Sequence, residues 1–386
     1  MHDVRNARCA RRKCRVFLDQ QKMNCDRSRK RFLPSAICAL IIVIIMSGCG
    51  KGASGYREID IDLPLEPSDN MWLCWQKSDT AIFAVGPHAS GSSVGPSYST
   101  DKLIVYDLKA EAVIATYEVN TAAYIYAAAP YQDGILYVDY IGDSYSASWS
   151  LVFQTDNGKC ILDKGAAETS FDRVPMLFML QDTPFYLWEG SYCSNNFGIN
   201  RITNSGIESI YEENGSRTLA DLYVKSYGEH YCFAAYDFKG EVDAVVGDMD
   251  GVLYSQPLDG KLTSYTISEN YAIYGTAMDV DTHTVYGAAA IELVSGECTI
   301  STTTNPLYRL AGGGKDTCLF VDSHFAPYSA SVPDLEAARV PLPEEIENTG
   351  RSVAVSFYPL GGTNFLAEFS RIINGQEVRS YYEYGY

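Results

Sequence analysis

Lys102–Tyr117 reads KLIVYDLKAEAVIATY. Two runs rich in Val, Ile and Tyr, Leu103–Leu108 and Val113–Val119, flank a short polar stretch, the pattern of a β-hairpin. Gly251–Thr263 (GVLYSQPLDGKLT) repeats the theme. Upstream of the first hairpin lie two further β-type runs, Met71–Trp75 and Ala81–Val85. Together they make a group of four. Groups of this kind recur about every 50 residues, beginning at Met71, Tyr124, Met176, Leu222 and Tyr271. The fifth group takes Thr299–Leu310 and Thr317–Val321 as its last two strands. A sixth, Val353–Tyr358, Phe365–Phe369 and Glu377–Tyr384, is one strand short. No helical stripe exceeds two turns, and Asp334–Arg339 is the best short candidate.

The missing strand has a candidate at the other end of the body. Arg57–Leu65 (REIDIDLPL) places Ile59, Ile61, Leu63 and Leu65 on one face, the period-2 signature of a half-buried strand. Adding it to the last group closes a ring and removes most exposed sheet edges. In these hairpins and this closure the sequence resembles the β-propeller superfamily. The resemblance implies an all-β fold of six four-stranded blades over 56–386, with seven blades as the alternative and paired β-sandwiches as the rival fold. In a four-stranded meander successive turns alternate between the two faces of the ring. The turns after first and third strands are short, several carrying Asn-Gly or Asp-Gly, which suit tight hairpins. The long segments 86–101, 142–148, 190–196, 237–251 and 326–350 are then expected together on the opposite face, where binding residues concentrate.

Charge divides the chain at Cys49. Residues 1–48 carry 11 Lys/Arg and 3 Asp/Glu, a net of +8, and the remainder is −26, so the formal −18 averages two unlike parts. An acidic body repels phosphate backbones and argues against nucleic acid as a partner. The leader runs from a basic stretch (Arg27, Arg29, Lys30, Arg31) through the uncharged apolar Ala36–Met46 to Ser47 and Gly48. That is the order of a secretory signal. As a helix the apolar run spans only ~16 Å, short of a ~30 Å hydrocarbon core. Extended through its flanks, Phe32–Gly50, it becomes long enough for an uncleaved anchor. Met46-Ser47-Gly48-Cys49 resembles the lipobox of bacterial lipoproteins, with Met where Leu is usual. The resemblance implies lipid attachment at Cys49, cleavage before it, and a membrane-anchored protein facing outside the cytoplasm. Two acyl chains suffice for stable anchoring. Met23 gives a leader of ordinary proportions, and 49–55 reads as a lipidated, Gly/Ser-containing tether.

The chemistry-bearing residues are sparse. Beyond Cys49 the body holds Cys74, Cys160, Cys193, Cys232, Cys298 and Cys318, an even number compatible with disulfides, Cys298–Cys318 being the nearest pair. His88, His230, His283 and His324 show no H-x-H or H-x-x-x-H spacing. The acidic turns Asp248–Gly251 and Asp279–Asp281 lack the further ligands of a calcium loop. No P-loop occurs, and no catalytic residue, metal or cofactor is assigned. Tyr98, Asp143, Tyr145, Trp149, Tyr192, Asn195 and Asn196 lie in or beside the long segments. Aromatic rings with amides and acids suit a protein, peptide or glycan ligand. The alternative is a glycan-active hydrolase or lyase with carboxylates at a central channel.

Overall fold

Short runs of β-branched and aromatic residues, cut by Gly, Asn and Asp every 6–10 residues, can bury themselves only by pairing with their neighbours. In a computed structural model they do so as seven antiparallel sheets, successive in sequence, forming a seven-bladed β-propeller. The structure describes residues 55–65, 69–89, 97–121, 125, 127–142, 147–167, 175–189, 196–220, 224–280, 283–303, 306–313, 316–322, 326–347, 354–361, 364–373 and 376–385.

Blade 1 runs Asp69–Lys77, Thr80–Ala89, Thr100–Asp107 and Ala112–Thr121, with the two-residue strand Ser97–Tyr98 laid against His88 and Ala89. Blade 2 is Ala128–Tyr131, Gly134–Gly142, Ala147–Thr155 and Gly158–Ala167; blade 3 is Met176–Leu180, Thr183–Glu189, Asn196–Thr203 and Gly206–Asn214. Blade 4 splits its first strand into Arg217–Leu219 and Lys225–Tyr227, followed by His230–Asp237, Val242–Asp248 and Gly251–Leu258. Blade 5 is Lys261–Ile267, Tyr271–Val280, His283–Glu292 and Cys298–Thr303; blade 6 is Tyr308–Gly313, Thr317–Val321, Pro327–Ser331 and Ala337–Arg339. Blade 7 takes Ala354–Gly361, Asn364–Ile373 and Gln376–Gly385 from the C-terminus and Gly55–Ile59 from the N-terminal side, registered Gly55↔Gly385 through Ile59↔Tyr381. The expected closure is therefore present, but its strand is Gly55–Ile59 and not Arg57–Leu65: Asp60–Leu65 are outside the sheet, and Leu65 is exposed instead of sharing a buried face with Ile59 and Leu63.

The blade number is seven, the alternative to six, for a local reason. Val242–Asp248 is a strand, not part of a loop over 237–251, and it is buried almost continuously rather than alternating. Lys261–Ile267 consequently opens blade 5 instead of ending blade 4. Likewise Pro327–Ser331 and Ala337–Arg339 are strands inside the segment read as a long loop over 326–350. The short helix falls at Glu344–Glu347 instead of Asp334–Arg339.

The core lies between blades. The fourth residue of the second strand is aromatic in blades 1 to 6: Phe83, Tyr137, Tyr186, Phe233, Tyr274 and Phe320, none more than 1% exposed. Each packs against the preceding blade. Phe83 meets Tyr381 of blade 7 edge-on at 5.7 Å, and Phe233 meets Phe197 of blade 3 at 5.7 Å. Tyr274 adds hydrogen bonds, its hydroxyl reaching the carbonyl oxygens of Phe233 at 3.1 Å and Val245 at 2.7 Å in blade 4. Burial of such rings is the main favourable term in a fold of this kind.

Candidate functional site

Strand direction fixes which residues share a face. The second strands of blades 1, 2 and 3 end at Ala89, Gly142 and Glu189, and their third strands begin at Thr100, Ala147 and Asn196. The three segments between them join strand ends on one face of the ring, in three consecutive blades. In blade 4 the same connection shrinks to 238–241, a tight turn in which the Asp237 carboxylate accepts from the backbone amides of Lys239 and Glu241 at 2.8 and 2.9 Å. The strand ends that flank three of the five segments thus share a face as expected, and the described residues of the other two form strands, turns and a short helix.

The opposite face holds the turns after first and third strands. Gly55 lies there, paired with Gly385, so the chain comes into the ring on the tight-turn side. Blades are bridged on that side. Lys77, at the end of the inner strand of blade 1, donates to the carbonyl oxygen of Gln181 at 2.5 Å and to Asp182 at 3.0 Å in blade 3. Gln181 continues to blade 4, donating from its backbone amide to Gly228 at 2.8 Å and from its side chain to Glu229 at 2.5 Å. The contact joins blade 1 directly to blade 3, past blade 2.

Of the seven candidate ligand residues, Trp149 is the best defined. It is 8% exposed, with its ring 6.3 Å from that of Tyr186 and pressed onto Gly165, where an added Cβ would come within 2.6 Å of the indole nitrogen. It serves the packing of blade 2 against blade 3. Asn196 is half-buried at the start of a third strand, opposite Asn214. Tyr98 sits in the short strand against His88. The strands carrying these three bring their backbones to the same face. Asp143, Tyr145, Tyr192 and Asn195 lie outside the described residues.

Composition did not single out the acids of this face, and the structure ties them into the scaffold. Asp139 accepts from Thr121 at 2.6 Å, and Asp322, 8% exposed, accepts from the amide of Ala326 at 2.9 Å. Where blade 3 meets blade 4, Arg217 donates to Glu213 at 2.9 Å, to Asp243 at 3.2 Å and to the Tyr211 hydroxyl at 2.8 Å. Burial alone would raise the Glu213 carboxyl. Hydrogen bonds from Ser216, Tyr211 and Arg217 outweigh it and hold the group below its ordinary value. Burial, reinforced by its bond to Glu213, pushes Tyr211 up to about 12. A carboxylate held in this way is an ion-pair partner rather than a proton donor near neutral pH. Among the described residues no three His, Cys, Asp or Glu side chains gather as a metal site. The acidic turn at Asp248 is a hairpin turn, its carboxylate accepting from the amides of Asp250 and Gly251.

The described cysteines are free thiols, Cys298 and Cys318 included. Burial pushes Cys74, Cys232 and Cys318 up to about 12, whereas Cys160 is exposed.

No family model matches the chain, and no curated protein matches it by sequence. Solved structures similar to it include the β-propeller domain of the trilobed protease from Pyrococcus furiosus, at 8% identity and a TM-score of 0.47, covering 67% of this chain and 82% of that one. BamB from Moraxella catarrhalis is similar at 12% identity and a TM-score of 0.42, covering 86% of this chain and 97% of that one. Hsv2 from Kluyvelomyces marxianus is similar at 7% identity and a TM-score of 0.44, covering 86% and 97%. At such identities the likeness concerns fold alone.

Proposed function

We propose that this chain is a lipid-anchored, extracytoplasmic binding propeller, held to the membrane through Cys49 and presenting the face opposite its tether to a protein, peptide or glycan. The observation that carries the reading is the position of Gly55 on the tight-turn side of the closing blade. A tether from Cys49 to Gly55 is only six residues beyond the lipidated cysteine and reaches at most ~20 Å. The tight-turn side then stays near the membrane, and the face bearing the three long connections of blades 1–3 points away. The bridge between blades on the tether side agrees with this polarity. Asp139 and the Glu213–Arg217–Asp243 group on the outer face join neighbouring blades, which favours a scaffolding role for these acids and binding over hydrolysis.

A photo-crosslinking amino acid placed at Tyr98 or, on the tight-turn side, at Asn204 tests the polarity in cells. Adducts from Tyr98 and none from Asn204 are expected. Adducts from Asn204 alone would reverse the working face. Radiolabelled palmitate should enter the wild-type chain and not Cys49→Ala; a mature chain that retains residues 36–48 would end the lipoprotein reading.

A further inference from the structure

On the tight-turn side, where the two ends of the fold meet, blades 7 and 1 leave a cleft of about 420 Å³. Its floor is apolar: Ile59 and Leu108 are 3% and 2% exposed, and Leu360 lies beside them. Its walls are charged. On the blade 7 wall the charges satisfy one another. Arg57 pairs with Glu383 at 3.1 Å and reaches over to Glu111 at 3.2 Å, while Asn364 donates to the second oxygen of Glu383 at 3.2 Å. On the blade 1 wall they do not. Asp79 is held through its backbone, its carbonyl accepting from the Leu108 amide at 2.7 Å. Asp79 and Lys109 both line the cleft and are exposed, and neither side chain has an ion-pair or hydrogen-bond partner among the described residues. Asp79 and Lys109, next to each other through the Leu108–Asp79 backbone bond, thus bring opposite charges to the lining of one cleft without pairing with each other.

We propose that this cleft binds a small zwitterion carrying a primary ammonium and an anionic group. The ammonium is taken by Asp79, the anionic group by Lys109 with Arg57 behind it, and the short aliphatic link lies over Ile59 and Leu108. The charge balance selects this class. A lone anion meets Lys109 but also Asp79 and Glu383; a lone cation meets Asp79 but also Lys109 and Arg57. An uncharged ligand displaces water from two charges and pairs neither, which costs affinity. A molecule with both charges pairs both at once. The volume falls within the range of small-molecule sites. Amino acids and the phosphoethanolamine headgroup both have this chemistry. The proposal is independent of the outer-face reading, because it concerns the other side of the ring.

The test is a titration of the full-length chain in non-ionic detergent, followed by calorimetry, with phosphoethanolamine, glycine, phosphocholine and inorganic phosphate. Saturable binding of phosphoethanolamine or glycine is expected, with phosphate at least tenfold weaker. Phosphocholine should also be weak, because its quaternary nitrogen has no proton to donate to Asp79. Asp79→Asn and Lys109→Gln should each weaken binding roughly two- to fivefold, the scale of single solvent-exposed charge pairs. Both should melt with the wild type, since neither side chain is buried. Dihexanoyl-phosphatidylethanolamine binding more tightly than phosphoethanolamine identifies a lipid headgroup as the source; glycine matching phosphoethanolamine identifies a free amino-zwitterion. Phosphate binding as well as phosphoethanolamine, variants binding like the wild type, or no saturation by any of these probes would each overturn the proposal.

Discussion

Ile59→Ala isolates the contribution of ring closure. Ile59 is the last residue of the N-terminal strand in blade 7, 3% exposed, in one core cluster with Leu63, Phe83, Tyr106, Leu366 and Tyr381. Those neighbours come from blade 1, blade 7 and the crossing between them. Removing three carbons costs about 2.4 kcal/mol at ~0.8 kcal/mol per buried methylene. Rigid aromatic neighbours leave part of the space unfilled, which brings the expected loss to about 3 kcal/mol. Two substitutions nearby set the scale. Arg57→Ala breaks both ion pairs of a side chain that is 52% exposed and should cost no more than about 1 kcal/mol. Tyr56→Ala removes an exposed ring that lies edge-on to Tyr382 and tilted against Tyr384 and should fall between the two. The assay is urea unfolding of the full-length chain followed by tryptophan fluorescence. With a slope of about 3 kcal/mol per molar urea, Ile59→Ala should lower the midpoint by about 1 M. A loss below about 1 kcal/mol, or a larger loss from Arg57→Ala, would mean that this strand does not close the ring through its apolar face.

Arg217→Met strands Glu213, 7% exposed, as an unpaired buried charge and should cost about 3–5 kcal/mol by urea unfolding. Glu213 itself makes stability fall with acid. Its folded-state value lies below the ordinary 4.5, so its contribution is fully present above that value and is lost as pH falls through the lower folded one. Glu213→Gln should flatten that acid limb, and an unchanged limb would show that the group does not carry it. With a maleimide at pH 8, Cys160 should label in the native chain while Cys232 and Cys318 stay unmodified until urea is added; rapid native labelling of either buried thiol contradicts the packing. Gly165→Ala forces a methyl into the Trp149 ring and should cost about 1–3 kcal/mol; a neutral result would mean the indole does not rest there.

Much of the fold was legible because its devices are local. The hairpin over Lys102–Tyr117 announces its strands through periodicity, Arg57–Leu65 announces a strand that pairs only as far as Ile59, and the short final group announces a strand exchanged between the two ends of the ring. The blade number was obscured where periodicity fails. Val242–Asp248 is VDAVVGD, flanked by acids and buried on both faces, so it has neither alternation nor a clean boundary. Pro327–Ser331 begins with Pro and ends in the small residues Ser329, Ala330 and Ser331, which demotes a strand in a propensity reading. The signal that counts blades correctly is the aromatic at the fourth position of each second strand, from Phe83 to Phe320, recurring at intervals of roughly 40–55 residues. Ala367 occupies that place in blade 7 and is also fully buried. That residue is set by packing against the preceding blade, a constraint that single-strand periodicity does not contain.

The candidate site was less legible because residue type does not reveal direction. Trp149 and its neighbours were singled out as aromatic residues beside long segments, yet only the register against Gly165 reveals that the indole lies in the core. The acids show the same limit from the other side. Asp139, Glu213, Asp243 and Asp322 look alike in sequence, and each is fixed by a partner from a different strand or turn. What the sequence did contain was polarity. Meander topology forces turns to alternate faces, and Gly/Asn/Asp turns are tight for steric reasons. The position of the N-terminal strand then determines which face a lipid on Cys49 would hold down. The ring has no intrinsic up or down; the direction comes from which end of blade 7 the chain reaches first. Gly55 meets Gly385 on the tight-turn side, so lengthening the tether frees the orientation while moving the anchor to the C-terminus after Gly385 would keep it, because both residues lie at the same end of their strands.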